Sequence, residues 1–254
     1  MNNGYLEKLS QGELARCVID VLRRTILHYG IWFSEVSHQL GLEEAIRLEK
    51  EAFDWFFPIA VNRLSRTLGF ETTDDLPLWL TNMEKEKLIS LIKAFSFTWL
   101  TCDGVWFRTV EDNYDMYTSK RCNDTSWVKY SPVEASIIKS SLQLPEQSGL
   151  DGLEQALKFR LFAHINEQTI ERTSDELILR MVRCLVQETR KLNRLPDYPC
   201  KSAGLVEFPA FAKAIDPRIR VECISCPPDE HPEGWFCAWR FYICLLYTSD
   251  AADE

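Results

Sequence analysis

The sequence lacks the features that mark several common classes of protein. Its 254 residues include 29 lysines and arginines against 38 acidic residues, so the formal net charge is −9. Binding to a phosphate backbone needs clustered positive charge, which this composition does not favour. No apolar run approaches the roughly 20 residues that cross a bilayer. We therefore expect neither nucleic acid nor a membrane as a partner.

Several catalytic and targeting motifs are also missing. There is no glycine-rich phosphate loop, no G-x-S-x-G and no H-E-x-x-H, which argues against nucleotide binding and the commonest hydrolase classes. The first residues have no basic start followed by an apolar core, so no secretory signal is expected. With 46% apolar and 26% charged residues, the composition is that of a soluble globular protein. The expected location is the cytoplasm.

Cysteine is the most informative residue type present. Four of the nine cysteines are spaced as C-x22-C-x2-C-x10-C, and these are Cys200, Cys223, Cys226 and Cys237. A pair separated by two residues is typical of a tetrahedral thiolate site, and thiolates favour zinc. Disulfides in an oxidising compartment, or burial as small apolar side chains, are the alternatives. We expect structural zinc at these four and simple burial for Cys17, Cys102, Cys122 and Cys184.

The residues around these cysteines resemble the 4-vinyl reductase domain of bacteriochlorophyll-pathway proteins and of sensor modules in aromatic-responsive transcription activators. The shared features are a cysteine before a glycine-containing helix, two ligand positions three apart at a strand end, and a cysteine at an aromatic-rich final strand. In the sensors a cysteine, a glutamate and two further cysteines hold zinc. The resemblance implies zinc at Cys200, Cys223, Cys226 and Cys237, with Cys223 replacing the glutamate. An all-sulfur shell suits a structural role, because it leaves no open position.

The first half of the chain is predicted to be helical and internally repeated. Ser10 and Glu13 form a capping-box pattern, and apolar residues then recur at helical spacing. Leu14 corresponds to Leu88 at a constant offset, and the match continues to the motif G-x-W-F at Gly30 and Gly104. We expect a second helix to begin near Gly30 and to end at Gly41. The repeats are assigned to residues 1–73 and 74–150, as two related helical hairpins packed face to face.

With this repeat, the whole chain resembles an uncharacterised family of bacterial and archaeal cytosolic proteins that pair a G-x-W-F helical part with the cysteine-bearing end. The helical half is more weakly similar to 2-amino-thiazoline-4-carboxylate hydrolase-like proteins. These resemblances imply an architecture and a compartment, but no agreed activity.

The last part of the chain, residues 151–243, is predicted to be an α+β domain. Strands near residues 164–172 and 177–183 are followed by two helices and by strands near 218–224 and 236–243. The order β-β-α-α-β-β predicts an antiparallel sheet with helices on one face, and the whole chain is then of the α+β class. Residues 244–254 fit no element and are interpreted as a non-native tail.

Four polar residues are candidates for binding a ligand in this domain. They are Asn166, Gln168, Gln187 and Arg190. Amides and a guanidinium that face one pocket would suit a carboxylate or carbonyl ligand. The alternative is that they satisfy the backbone and each other, as buried polar groups usually do.

Two functional hypotheses follow. The first is a zinc-stabilised protein that binds a small molecule, in the manner of a sensor or carrier. The second is an enzyme, either a hydrolase of a small cyclic amide-like substrate or an accessory of tetrapyrrole reduction. The expected partners are a small-molecule ligand and, as an open option, a second copy of the chain.

Overall fold

The computed structural model describes residues 4–243. The chain divides into two compact units, one ending at Leu68 and the other beginning at Gly69, and each is described by itself. The segment 244–254, interpreted above as a non-native tail, lies outside the described residues.

The first unit is a hairpin of two long helices, α1 (Gln11–Leu40) and α2 (Leu42–Leu68), preceded by a short 3-10 helix at Leu6–Lys8. The capping box is formed, because the Ser10 hydroxyl accepts from the Glu13 backbone and Glu13 accepts from the Ser10 backbone. Gly41 ends α1 with φ +89°, a conformation that favours glycine. The predicted boundary near Gly30 is wrong, since α1 continues through it; one glycine inside a helix costs only about 1 kcal/mol.

The second unit opens with a small hairpin of two-residue strands, β1 (Thr72–Thr73) and β2 (Leu76–Pro77), followed by a short helix, α3 (Leu78–Thr81). Two long helices come next, α4 (Lys85–Asn113) and α5 (Met116–Ser141). Both begin 74 residues after α1 and α2 begin. Each second helix also contains a proline at the same offset, Pro58 in α2 and Pro132 in α5.

A mixed α and β segment completes the second unit. Its elements are α6 (Gly149–Phe159), β3 (Glu167–Arg172), β4 (Glu176–Arg183), α7 (Leu185–Leu192), α8 (Lys201–Ile215), β5 (Ile219–Ser225) and β6 (Cys237–Ile243). The last four strands form one antiparallel sheet in the order β3-β4-β6-β5. The predicted order β-β-α-α-β-β and the α+β class are confirmed. The four-cysteine metal site that was part of the same prediction is not seen among residues 4–243.

The sheet has one apolar face and one charged face. Side chains alternate along β4 and β6, so Leu177, Leu179, Trp239 and Phe241 point to the same side and are buried. They form one core with residues of α5, α6 and α8. On the other side Arg240 pairs with Glu176 at 2.5 Å and with Glu222 at 3.1 Å. Such a sheet is covered on one face and faces solvent on the other.

One helix bears on the expectation about membranes. α4 is long and apolar enough to cross a bilayer by length and composition, so the expectation that no segment approaches this limit is wrong. Only about a tenth of its most apolar stretch is buried, at 11%. One such helix among residues 4–243 is weak evidence for a membrane span.

Candidate functional site

A cavity of about 620 Å³ lies within the second unit. Its wall is built from α4, from α7 and the segment after it, from α8 and from the start of β6. Most of the wall is apolar, and its aromatic members are Phe97, Phe107, Trp127, Phe162, Tyr198, Phe208 and Trp239. An apolar cavity of this size with a few polar groups is the usual form of a site for a small molecule.

The close approach of α8 to the sheet forms one part of this wall. The Trp239 ring on β6 lies against Gly204 on α8, where a Cβ atom would stand 2.3 Å from Cζ2 of the ring. Phe208, one turn further along α8, packs on the same indole with ring centroids 4.7 Å apart. Glycine is therefore required at position 204 for the helix to lie this close to the sheet.

Three of the four predicted zinc ligands come together beside the cavity. Cys200 is the N-cap of α8, Cys226 follows β5, and Cys237 begins β6. The Cys226 thiol is hydrogen-bonded to the sulfurs of both Cys200 and Cys237, and all three line the cavity. Cys223 lies on β5 opposite Trp239, packs against the core and does not line the cavity. Cys184, expected to be simply buried, is a fourth cysteine of the cavity wall.

Nitrogen–hydrogen donors point at this sulfur cluster. The Gln187 side chain donates to the Cys200 sulfur at 3.2 Å. The indole N–H of the buried Trp239 faces the Cys237 sulfur and has no other partner among residues 4–243. The hydrogen bond from Cys226 lowers the pKa of Cys237, whereas the hydrogen bonds to Cys200 and Cys237 raise the pKa of Cys226. Donors placed in this way stabilise negative charge on sulfur.

The cluster is not arranged as a complete metal site. Within the described part of the chain, no group of three or more histidine, cysteine or acidic side chains is placed so that it could hold a metal ion. The donor chemistry nevertheless fits zinc, because three thiols converge and N–H groups are directed at two of the sulfurs. All eight cysteines within residues 4–243 are free, and Cys102 and Cys122 are exposed rather than buried as expected.

The structure places two of the four predicted ligand-binding residues on the cavity wall and two away from it. Asn166 and Arg190 line the cavity, whereas Gln168 and Gln187 do not. Gln187 is engaged with both the carbonyl and the N–H of Tyr198, and Gln168 donates to the carbonyl of Leu157 at 3.2 Å. Arg190 donates to the carboxylate of Glu111 at 3.1 Å and to the carbonyl of Pro196 at 2.6 Å. Asn166 accepts a hydrogen bond from the Leu185 backbone at 2.8 Å. Internal partners, the alternative considered for these residues, therefore account for all four.

Asp103 is a cavity residue that the sequence did not indicate. It lies on α4, where burial raises its pKa although a hydrogen bond from Asn123 and the charge of Lys120 act in the opposite direction. Asn123 in turn accepts a hydrogen bond from the Tyr198 hydroxyl, which also accepts from Lys120 at 3.0 Å. This chain of contacts connects α4, α5 and the segment before α8. The sequence signal was weak, because one aspartate in a long helix is usually exposed.

A second buried polar group adjoins the same wall. Arg160 lies between Glu134 on α5 and Glu207 on α8, at 2.9 Å and 2.6 Å. All three side chains are buried, and Glu207 lines the cavity. Burial raises the pKa of Glu207, even though Arg160 favours its ionised form. Two carboxylates thus share one guanidinium at this place.

These features define an α+β protein with a helical N-terminal region, a one-sided antiparallel sheet and an apolar cavity beside a thiol cluster. The model of a family of unknown function, DUF6125, matches residues 7–81 and 81–243, and the chain belongs to that family. No curated protein and no solved structure matches the chain. The expectation of an uncharacterised family is confirmed, while the likenesses to vinyl reductase and hydrolase proteins stay predictions.

Proposed function

We propose that this protein binds a small apolar molecule in the cavity of its second unit, as a cytoplasmic sensor or carrier stabilised by zinc. The observation that carries the proposal is the cavity of about 620 Å³ with its largely apolar wall. Apolar enclosure supplies affinity, and a few polar side chains set the orientation of the ligand. Free thiols on the cavity wall suit a reducing compartment.

The proposed zinc ion would be held by Cys200, Cys226 and Cys237, with Cys223 as the fourth ligand. Support comes from the contacts of the Cys226 thiol and from the place of Cys223, three residues earlier at the end of β5. Cys200 lies at the start of a helix, Cys223 and Cys226 at the end of a strand, and Cys237 at the start of the last strand. The vinyl reductase resemblance implies this same order. When bound, zinc would connect α8 to β5 and β6 and so stabilise one wall of the cavity.

The two helical hairpins are, in this proposal, products of a duplication. Equal offsets of 74 residues between the helix starts and between Pro58 and Pro132 support it. The family model also matches in two segments that meet at residue 81. In the second hairpin, α4 supplies cavity residues from Phe97 to Arg108. The second hairpin thus contributes residues to the proposed binding site.

The test is ligand binding to the wild type and to two matched variants. Thr189 is an exposed residue of α7 at the cavity, so Thr189→Trp would fill the cavity from its open side with little effect on the core. Lys191→Trp places the same side chain on α7 away from the cavity. We expect aromatic small molecules to raise the melting temperature of the wild type and K191W but not of T189W. A wild type that responds to no member of a broad panel would count against the proposal.

A second candidate, an enzyme, is favoured by one observation. Asp103 is a carboxyl group on an apolar cavity wall with its pKa raised by burial, and groups of this kind serve as general bases. Hydrolysis of a small cyclic amide-like substrate would then depend on Asp103 rather than on Gln187. Turnover of a cyclic amide panel that is lost in Asp103→Asn but kept in Glu86→Gln, at an exposed carboxylate of the same helix, would favour this candidate.

A further inference from the structure

The charged residues that line the cavity are Asp103, Glu207, Arg108 and Arg190, and within residues 4–243 they form no ion pair with one another. Asp103 accepts one hydrogen bond, from Asn123 at 3.3 Å, and is in no ion pair with another of residues 4–243. Glu207 shares the guanidinium of Arg160 with Glu134. Among the described residues Asp103 therefore has no ionic partner, and Glu207 shares its partner with a second carboxylate. Asp103 also acts on Glu207 electrostatically, which places both in the same local field.

The positive groups nearby are already engaged. Arg190 uses all three guanidinium nitrogens, two on Glu111 and one on the carbonyl of Pro196. Arg108 pairs with Asp112 at 2.6 Å. These are the two basic residues among those that line the cavity. Within the part of the chain that the structure describes, both arginines of the wall already face carboxylates, so a ligand carboxylate would compete with those for a cation and would also face Asp103.

The charge of Lys120 lowers the pKa of Asp103, but Lys120 is not part of the cavity wall. Its ammonium group lies 2.8 Å from the carboxylate of Asp124 and 3.0 Å from the hydroxyl of Tyr198. Lys120 is therefore occupied by a carboxylate of its own. The charge of Asp103 remains available to a ligand.

The aromatic rings of the wall also attract positive charge. The guanidinium of Arg190 lies 5.9 Å from the centre of the Phe107 ring, and the ammonium of Lys120 lies 4.3 Å from that of Tyr198. The faces of these rings carry the negative part of the ring quadrupole and so favour cations. The protein's own cations lie at these two rings, but Trp127 and Trp239 also line the cavity. An aromatic face together with a carboxylate that has no ionic partner can recognise an organic amine.

We propose that the ligand of this cavity is an aromatic amine in its protonated form, with the ammonium group on Asp103 and the ring among the apolar side chains. The inference rests on the proposed binding function and names its ligand class. It replaces the carboxylate or carbonyl ligand expected from Asn166, Gln168, Gln187 and Arg190, because each of these residues has an internal partner. Leu100, Phe162 and Trp239 are suitable neighbours for the ring.

The experiment compares three probes with the same ring: tryptamine, indole without a charged substituent, and indole-3-acetate. Isothermal titration calorimetry on the full chain gives the three dissociation constants. We expect tryptamine to bind about tenfold or more tightly than indole-3-acetate, as a charge-assisted hydrogen bond in a partly buried site would provide. Indole should lie between the two.

Variants then locate the ammonium group. Asp103→Asn keeps the size and shape of the side chain but removes its charge, so the preference for tryptamine over indole-3-acetate should fall to about twofold or less. Glu86→Gln removes one carboxylate from the exposed first turn of the same helix and should leave the preference unchanged. Melting of each variant is recorded first, so that a folding defect is recognised.

The possible results separate this inference from the function on which it rests. Equal or tighter binding of indole-3-acetate by the wild type overturns the amine assignment and leaves a binding function standing; this comparison needs no variant. A tryptamine preference that survives in a folded D103N overturns the role of Asp103. If none of the three probes binds and the broad panel also gives no response, both proposals fall.

Discussion

Tyr29 donates a hydrogen bond to Glu49 at 2.9 Å, from α1 to α2. At the same offset of 74 residues, Asp103 accepts a hydrogen bond from Asn123, from α4 to α5, at 3.3 Å. The contact between helices is kept at equivalent positions, but a phenol and a carboxylate in the first hairpin are replaced by a carboxylate and an amide in the second. The second hairpin is therefore the one that presents an acidic group to the cavity.

Arg160 is expected to be the most sensitive charged residue of the fold. Replacing it with methionine leaves Glu134 and Glu207 buried without a positive partner, and breaking a buried pair costs about 3–5 kcal/mol. Urea unfolding of R160M should show this loss. The control is Lys158→Met, which removes an exposed pair with Glu154 and should change stability by less than about 1 kcal/mol. Equal stabilities of the two variants would contradict the role given to Arg160.

Gly204 provides a test of the packing between α8 and the sheet. A Cβ atom at this position would meet the Trp239 ring at 2.3 Å, so Gly204→Ala should lower stability by about 1–3 kcal/mol. Gly104 in α4 has nothing within 4 Å of the same atom, and Gly104→Ala should instead raise stability by about 0.5–1 kcal/mol. Thermal unfolding of the pair measures both signs. A stabilised G204A would show that the helix does not lie this close to Trp239.

The sequence predicted several elements of both units because their signals are local. Alternating apolar residues identify β4 and β6, and the capping box identifies the start of α1. The boundary predicted near Gly30 failed for an energetic reason. The hydrogen bonds along a helix of 30 residues outweigh the cost of one glycine.

The candidate site was less accessible to sequence reasoning. The convergence of Cys200, Cys226 and Cys237 was predicted, because a known pattern relates their spacing to one point in space. Asp103 and Glu207 were not, since they belong to helices that are far apart in the chain and have no motif. Gln187 was chosen as a ligand group, but its amide is used by the backbone of Tyr198. Which polar groups stay unpaired is decided by tertiary contacts.

Asp216 makes stability depend on pH in the acid range. Burial opposes its ionisation, but hydrogen bonds from Arg218 and from the Gly149 backbone outweigh this and lower its pKa to about 2. In an unfolded chain the group titrates near about 3.9, so its ionised form stabilises the fold above that pH and this contribution is lost as the pH falls toward about 2. The group has a depressed pKa, so the loss occurs on acidification.

The measurement for Asp216 is urea unfolding of the wild type and Asp216→Asn between about pH 2.5 and pH 7. The wild type should be more stable by about 1–3 kcal/mol at neutral pH, through its charged hydrogen bonds. The difference should shrink below about pH 4, and the other carboxylates cancel because both proteins share them. A difference that grows on acidification would contradict the assignment.

Cys226 is central to the proposed zinc site, because its thiol contacts both Cys200 and Cys237. We expect about one zinc ion per chain by elemental analysis, and lower thermal stability after chelation, since metal binding and folding are coupled. Cys226→Ser should lose the metal and lower the melting temperature by about 4–8 °C or more. Cys102→Ser, at an exposed cysteine, is the control and should change neither the zinc content nor the melting temperature.

The fourth zinc ligand is identified by comparing Cys223→Ser with Cys184→Ser. Loss of zinc in Cys223→Ser alone supports the proposed set. Loss in Cys184→Ser alone assigns the role to Cys184, which lines the cavity. A wild type that takes up no zinc when refolded with it, and melts as C226S does, would refute the site.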